Sequence, residues 1–208
     1  MKQQPSIIYK RFLQKTESTA TYQKRTIAEI QEEICIIDLT LSPKGSWHFT
    51  SEFNTIFAFP LAGGIELHEP VKIHTIPVGN FLELYPTSEN GVTVSNPFIS
   101  ETVNCILIQY NSVQGQSQLQ TLELPFFQWQ NNQMHLTLRQ FTNREEFEFR
   151  PQKPNHPLWA ICLAGAFEFE NRLLEDRDGL QLISPNLCEM ESLCEGSILC
   201  LLQLKKTG

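Results

Sequence analysis

The segment Leu61-Ala62-Gly63-Gly64-Ile65-Glu66-Leu67 returns 102 residues later as Leu163-Ala164-Gly165-Ala166-Phe167-Glu168-Phe169. An apolar run leads into each copy, and a second turn glycine follows it, Gly79 in the first copy and Gly179 in the second. Each copy then closes on a similar apolar segment, 105–109 and 200–204. Self-similarity at half the chain length is the mark of one small unit built twice. The sequence therefore predicts two related domains.

The boundary between these domains is predicted in the polar stretch 111–118, which contains a glycine and has no apolar period. It lies between the closing segment of the first copy and the opening strands of the second. We assign residues 1–112 to an N-terminal domain that carries an N-terminal arm, and residues 113–208 to a C-terminal domain.

Strand signals dominate both halves of the chain. Apolar and polar residues alternate with period two at 135–139, 145–149 and 166–170, as in half-buried β-strands. Glycine, proline and asparagine punctuate the chain at short intervals, for example at 89–91 and 178–179. Many short strands with this spacing predict an all-β sandwich or barrel.

Composition excludes several classes of protein. The 208 residues are 41% hydrophobic and include 14 phenylalanines, which is enough to bury two cores. The net charge of −7 comes without a basic stripe, so direct nucleic-acid binding is not expected. No apolar run reaches the roughly 18 residues of a membrane span, and the N-terminus lacks the apolar region of a secretory signal. Four of the six cysteines lie in apolar runs, which favours reduced, buried thiols and a cytoplasmic protein.

The second copy resembles a known family in residues 163–180, where Gly-Ala-Phe-Glu-Phe leads through a short turn to Asp-Gly-Leu. This stretch is similar to the C-terminal domain of pirin-like bicupins, and residues 63–66 and 96–109 resemble their N-terminal domain. The resemblance implies two antiparallel β-barrels, each a double-stranded β-helix, packed face to face. In metal-bearing members it implies iron held in the N-terminal barrel by a His-x-His and a His-x-Glu pair. It also implies quercetin 2,3-dioxygenase activity for some members and a role as transcriptional cofactor for others.

The iron ligands of the family do not carry over to this chain. Counting back from the repeated glycines places the His-x-His pair on Phe49 and Ser51, or on Thr50 and Glu52. Counting on from Asn90-Gly91 places the His-x-Glu pair on Val94 and Asn96. Iron needs imidazole and carboxylate donors that alternate on one strand face. We therefore expect no metal and no cofactor.

Two alternatives are left open for the mouth of the first barrel. It can form a pocket lined by His48, Thr50, Glu52, Val94 and Asn96, or it can be filled by Phe49, Phe53 and Phe57. A slipped register could also bring His48 and Glu52, with His74, into a rebuilt metal site. His135 alternates with leucines and is expected to point outward.

Two further motifs have ordinary structural interpretations. Asp176 and Asp178 precede a glycine and are typical of a turn rather than of a catalytic carboxylate pair. Residues 126–129, Phe-Phe-Gln-Trp, are more typical of packing than of a binding platform.

Two functions remain. The first is a non-enzymatic module that binds a small ligand in an apolar pocket or docks a protein partner on its acidic surface. The second is a metal-dependent dioxygenase of the quercetinase kind that uses His48 and Glu52. No membrane association is expected.

Overall fold

A computed structural model describes residues 4–30, 32–86, 91–113, 115–154 and 156–205. The described chain forms two compact units. The first unit is Gln14–Leu122, and the second unit combines Met1–Leu13 with Glu123–Gly208. Of the predicted turns, Glu89 and Asn90 lie outside the described residues, and so does Gln114 of the predicted boundary.

Strands make up nearly all the regular structure of the described ranges, with one short 3-10 helix at Arg11–Leu13. In chain order the strands up to residue 122 are β1 (Ser6–Tyr9), β2 (Lys15–Ser18), β3 (Tyr22–Ile30), β4 (Ile34–Leu41), β5 (Ser46–Phe49), β6 (Thr55–Ala62), β7 (Ile65–Glu69), β8 (Lys72–Ile76), β9 (Asn80–Leu84), β10 (Val92–Ser95), β11 (Val103–Tyr110) and β12 (Gln118–Thr121). Those that follow are β13 (Phe126–Gln130), β14 (Met134–Phe141), β15 (Glu146–Phe149), β16 (Leu158–Ala164), β17 (Ala166–Phe169), β18 (Leu173–Glu175), β19 (Gly179–Leu182), β20 (Cys188–Ser192) and β21 (Ser197–Leu204). None of the described helical structure is long and apolar enough to cross a membrane.

The first unit consists of two antiparallel sheets. The larger sheet has the order β12-β9-β6-β11-β4-β3-β2, and the smaller has the order β5-β10-β7-β8. One apolar cluster contains residues from both sheets, including Leu107 of the larger sheet and Leu67 of the smaller. The alternation of the sequence places one face of each strand in this core and the other face outside it.

The second unit repeats this arrangement, except that β2 at the edge of the larger sheet has no counterpart. Its sheets have the orders β1-β19-β16-β21-β14-β13 and β15-β20-β17-β18. The repeated segments occupy the same places, since 61–67 forms the turn from β6 to β7 and 163–169 forms the turn from β16 to β17. The sequence repeat is therefore a structural repeat.

Both repeated turns depend on glycine. Gly63 has φ +67° and Gly165 has φ +81°, a region that residues with a Cβ atom rarely adopt. A Cβ at Gly63 would lie 2.5 Å from Cγ1 of Val103, and one at Gly165 would collide with the Ser197 hydroxyl. The glycines thus allow the strand that closes each repeat to pass directly beneath the turn.

The first part of the N-terminal arm, Met1–Leu13, belongs to the second unit, whereas the sequence predicted one N-terminal domain over residues 1–112. β1 pairs with β19 as β12 pairs with β9, so each of these strands occupies the same edge position in its own unit. Lys10 Nζ lies 2.6 Å from a carboxylate oxygen of Asp178, whose side chain is 3% exposed. The structure accordingly divides the chain after residues 13 and 122, because strand pairing with distant residues decides which unit a segment joins.

The all-β prediction is confirmed, but the described strands do not close into barrels. In each unit the core is enclosed between two separate open sheets, because the strands of the smaller sheet pair only with one another. The two-barrel arrangement stays a prediction from the family resemblance.

Candidate functional site

In the register that places the family's His-x-His pair on Phe49 and Ser51, the four expected ligand positions hold side chains with structural roles. Phe49 stacks on Trp47 with ring centroids 4.3 Å apart, and both belong to the core of the first unit. Val94 is fully buried in the same core. Alkyl and phenyl groups offer no donor atoms, so these two positions do not fit iron.

The side chain of Asn96 stabilises the loop between β10 and β11 by hydrogen bonds. Its side-chain nitrogen donates to the carbonyl oxygens of Leu41, Ser42 and Glu101 at 3.2, 2.9 and 2.7 Å. Its side-chain oxygen accepts from the backbone N–H of Phe98 at 2.9 Å. Because Asn96 is 2% exposed and every side-chain bonding position is used, it is not available to a ligand.

Ser51 has a structural role in the segment between β5 and β6. Its hydroxyl donates to Gln109 Oε1 at 3.1 Å and accepts from the backbone N–H of Phe53 at 3.0 Å. Phe53 is partly buried and packs against the core that contains Phe49. Phe57 does not join them, because it stacks on Phe81 at 4.6 Å instead. In this register the four positions therefore supply a phenyl, a hydroxyl, an alkyl and an amide group, which is not a donor set for iron.

The residues proposed for a rebuilt metal site are not brought together. His48 is exposed on β5, where its Nδ1 hydrogen-bonds with the Thr93 hydroxyl at 3.0 Å. His74 lies on β8 and contacts Glu69 at 3.0 Å. Three strand spacings of about 4.8 Å each separate β5 from β8. Thr50 and Glu52 are exposed around the turn after β5. No group of three or more His, Cys, Asp or Glu suited to a metal occurs among the described residues.

His135 is buried, whereas its alternation with leucines predicted a solvent-facing position. It is 4% exposed on β14, and its cross-strand partner on β21 is Gln203, which is 1% exposed. Burial, and then the positive charge of Lys205, lower the pKa of His135 below its usual range. The expectation was wrong because both faces of β14 are buried, so alternation with leucine does not identify a solvent-facing position.

The most unusual surface of the described chain is the outer face of the smaller sheet in the second unit. The neighbouring strands β15 and β20 contribute two glutamates each, and β17 contributes one, with a sixth glutamate directly after its last residue. We call this surface the acidic face, and its six residues are Glu146, Glu148, Glu168, Glu170, Glu189 and Glu191.

The glutamates of the acidic face stand directly opposite one another. Glu146 and Glu168 both pair across strands with Glu191, and Glu148 pairs with Glu189. Like charges in directly opposite positions of antiparallel strands are destabilising. The acidic face therefore costs folding stability.

A groove of about 320 Å³ runs along the acidic face, lined by the six glutamates together with Phe147, Asn171 and Met190. Arg144 contacts Glu191 at 3.0 Å, Arg150 lies 3.9 Å from Glu148, and Gln4 donates to Glu170 at 3.1 Å. The side chains of the other three glutamates, 146, 168 and 189, have no ion pair or hydrogen bond within the described part of the chain. Half of the carboxylates in the groove are thus open to a partner.

The structural repeat provides an internal comparison for this surface. In the first unit the same six positions hold two histidines, two serines, one threonine and one glutamate, namely Ser46, His48, Glu66, His68, Thr93 and Ser95. In this unit Nε2 of His68 lies 3.1 Å from a carboxylate oxygen of Glu66 and 2.8 Å from the Ser95 hydroxyl oxygen. The fold therefore does not require six carboxylates at these positions.

Sequence reasoning identified the strands of the acidic face but not the face itself. The alternation at 145–149 and 166–170 correctly predicts which glutamates point away from the core. It does not show that the two strands lie on either side of β20, because that pairing joins segments remote in the chain.

Comparison with solved structures supports a pirin-like, cupin-type fold. YhhW from Escherichia coli superposes with a TM-score of 0.80 at 13% identity, covering 98% of this chain and 99% of that one. Bacterial pirin YhhW from Escherichia coli in complex with nickel(II) superposes with a TM-score of 0.82 at 12% identity, covering 98% of this chain and 100% of that one. The protein Ylba from Escherichia coli superposes with a TM-score of 0.74 at 12% identity, covering 100% of this chain and 94% of that one. No family model and no curated protein matches the sequence. At these identities the likeness shows the fold alone.

Proposed function

We propose that this protein is a pirin-like, non-enzymatic binding module whose acidic face docks a basic segment of a partner protein. The observation that carries the proposal is the set of six glutamates around one groove, at positions where the first unit has a single glutamate. A charge arrangement that costs stability and that the fold does not need is best explained by a partner.

The geometry favours an extended basic segment. The groove follows three antiparallel strands, and the glutamates on each strand are two residues apart, about 6.6 Å. An extended peptide has the same two-residue repeat, so alternate lysine or arginine side chains can each reach a carboxylate. Phe147 and Met190 add apolar surface for the methylene stems of those side chains.

The second function raised by the sequence, an iron-dependent dioxygenase, gains no support from the site. The residues at the family's ligand positions do not fit iron, and His48, Glu52 and His74 do not converge. We propose that the metal-binding capacity of the resembling family is lost in this chain, and elemental analysis of protein supplied anaerobically with Fe(II) tests this. One equivalent of iron per chain would contradict the proposal.

Peptide binding tests the docking proposal directly. The probe is a fluorescein-labelled octapeptide in which lysine alternates with serine, with a glutamate-serine octapeptide as the negative control. Fluorescence anisotropy at 50 mM salt should show saturable binding of the lysine peptide only. The affinity should fall steeply at 300 mM salt, since ions screen exposed charges.

A pair of triple variants separates the acidic face from general acidity. Glu146→Gln, Glu168→Gln and Glu189→Gln together remove the three unpaired carboxylates of the groove. Glu29→Gln, Glu101→Gln and Glu123→Gln remove the same charge from exposed positions elsewhere. Each exposed ion pair contributes up to about 1 kcal/mol, so the groove variant should bind about tenfold more weakly or worse. Equal binding by both variants, or no binding by the natural protein, would overturn the proposal.

A further inference from the structure

Two buried polar side chains of the second unit, His135 and Gln203, form hydrogen bonds with the segment between β15 and β16. Gln203 accepts from the backbone N–H of Lys153 at 3.0 Å and donates to the carbonyl oxygen of the same residue at 2.7 Å. The side-chain nitrogen of Gln152 lies 3.2 Å from Nε2 of His135. Because His135 and Gln203 are cross-strand partners, the two contacts form one anchor for residues 150–154.

The contact between Gln152 and His135, with the amide oriented as in the structure, requires a neutral imidazole ring. A glutamine side-chain nitrogen can only donate, so Nε2 of His135 must accept, which requires a neutral ring. A protonated ring has N–H groups at both nitrogens and cannot accept. The anchor as it stands in the structure therefore depends on neutral His135.

We propose that residues 150–154 form an acid-sensitive lid over His135 and Gln203 in the second unit. The lid opens when His135 takes up a proton. The proposal is independent of the docking function proposed for the acidic face.

The surroundings of His135 oppose an imidazolium ion. The groups that face it are the amides of Gln130 on β13, Gln203 on β21 and Gln152 in the lid. The charge that acts on His135 is that of Lys205, just after β21. The lid itself carries two more positive residues, Lys153 and Arg150, of which Arg150 lies 3.9 Å from Glu148. No carboxylate forms an ion pair with His135 in the part of the chain that the structure describes. An added positive charge would thus be desolvated and repelled while the lid is closed.

The first unit shows that the fold does not need a titratable group here. The position equivalent to His135 is Cys35, and Gln109, equivalent to Gln203, bonds to Ser51 of the corresponding segment. Burial raises the pKa of the Cys35 thiol to about 12, so this end does not titrate near neutral pH. The two repeats share a polar anchor, and only the second contains an imidazole.

The direction of the pH effect follows from linkage. Burial lowers the pKa of His135 in the closed state, so the closed lid binds fewer protons than the open one. The free energy of closing is then fully present above the open-state pKa, near 6.5, and falls as the pH falls below it. Between pH 7.5 and pH 5.0 the opening constant can rise by up to about 30-fold.

Amide hydrogen exchange measured by NMR tests the lid on the full-length protein. The reporter is the Lys153 N–H, which Gln203 protects when the lid is closed. The reference is the Leu193 N–H, which donates to the Ala166 carbonyl oxygen elsewhere in the same unit. After correction for the intrinsic exchange rate, Lys153 protection should fall at least fivefold relative to Leu193 from pH 7.5 to pH 5.0.

His135→Gln is the matched variant, because a glutamine oxygen can accept from Gln152 at every pH. The ratio of the two protection factors should then be independent of pH. A constant ratio in the natural protein would overturn the proposal, since it would mean that the Gln152 amide rotates and accepts from the imidazolium. An equal fall in His135→Gln would also overturn it. Should that variant fail to fold, Gln152→Met provides the test, with weaker Lys153 protection expected already at pH 7.5.

Discussion

The N-terminal arm provides the sharpest test of how the second unit is held together. Asp178 is almost completely buried and accepts three hydrogen bonds, from Lys10 Nζ at 2.6 Å, the Arg11 backbone N–H at 2.7 Å and the Glu175 backbone N–H at 3.0 Å. The first two come from the arm. Replacing Lys10 by methionine keeps the length of the side chain and removes its charge, which leaves the buried carboxylate without a counter-ion.

The expected loss is about 2 kcal/mol. A hydrogen bond to a charged group contributes roughly 1.5 to 3 kcal/mol, and breaking a fully buried ion pair costs about 3 to 5 kcal/mol. The lower range applies because the Lys10 side chain is 24% exposed and water can partly replace it. About 2 kcal/mol corresponds to a roughly 30-fold larger opening constant for β1.

Arg11→Met is the matched control on the neighbouring residue. Arg11 pairs with Asp176 at 2.8 Å, but the two side chains are 49% and 44% exposed. An exposed ion pair contributes only about 0 to 1 kcal/mol. Native-state hydrogen exchange of the β1 amides measures both variants without assuming that two units unfold in one step. Equal opening constants in the two variants would refute the argument that burial of Asp178 controls the arm.

Three further outcomes are expected. Asn96→Ala should cost about 2 to 4 kcal/mol in urea denaturation, because it removes a buried amide that contacts three carbonyl oxygens and accepts from the Phe98 N–H; a loss below 1 kcal/mol would contradict its role in stabilising the loop. Ellman's reagent should modify one thiol of six in the native protein, that of exposed Cys194, since the other five are buried and burial raises the pKa of Cys162 and Cys200 to about 12. Glu189→Gln should raise stability by a few tenths of a kcal/mol in thermal unfolding, because it relieves repulsion with Glu148; a lower melting temperature would contradict the cost assigned to the acidic face.

Predictions from the sequence succeeded where a local pattern is sufficient. Period-two alternation identified the strands at 145–149 and 166–170, and the repeated glycines identified the turns at Gly63 and Gly165. The apolar context of Cys35, Cys105, Cys162 and Cys200 correctly predicted that these thiols are buried. Each of these features depends on a residue and its near neighbours in the chain.

The candidate site was predicted less well, because it depends on which strands become neighbours. Counting from the glycines led to Val94 and Asn96, and the structure places one in the core and uses the other to fasten a loop. His135 was expected outside because its alternation with Leu136 and Leu138 suggests a one-sided strand, yet both faces of β14 are buried. No local pattern distinguishes these cases.

The sequence by itself determined that the chain is an all-β protein built from one unit twice, since the repeat, the alternation and the turn glycines are all written within short segments. Only the tertiary structure decided which unit the arm completes and how six glutamates come to share one groove. It also decided that His135 lies under residues 150–154. The physical reason is that antiparallel pairing joins strands remote in the chain, and the free energy of that pairing comes from burial and cross-strand contacts that no single segment contains.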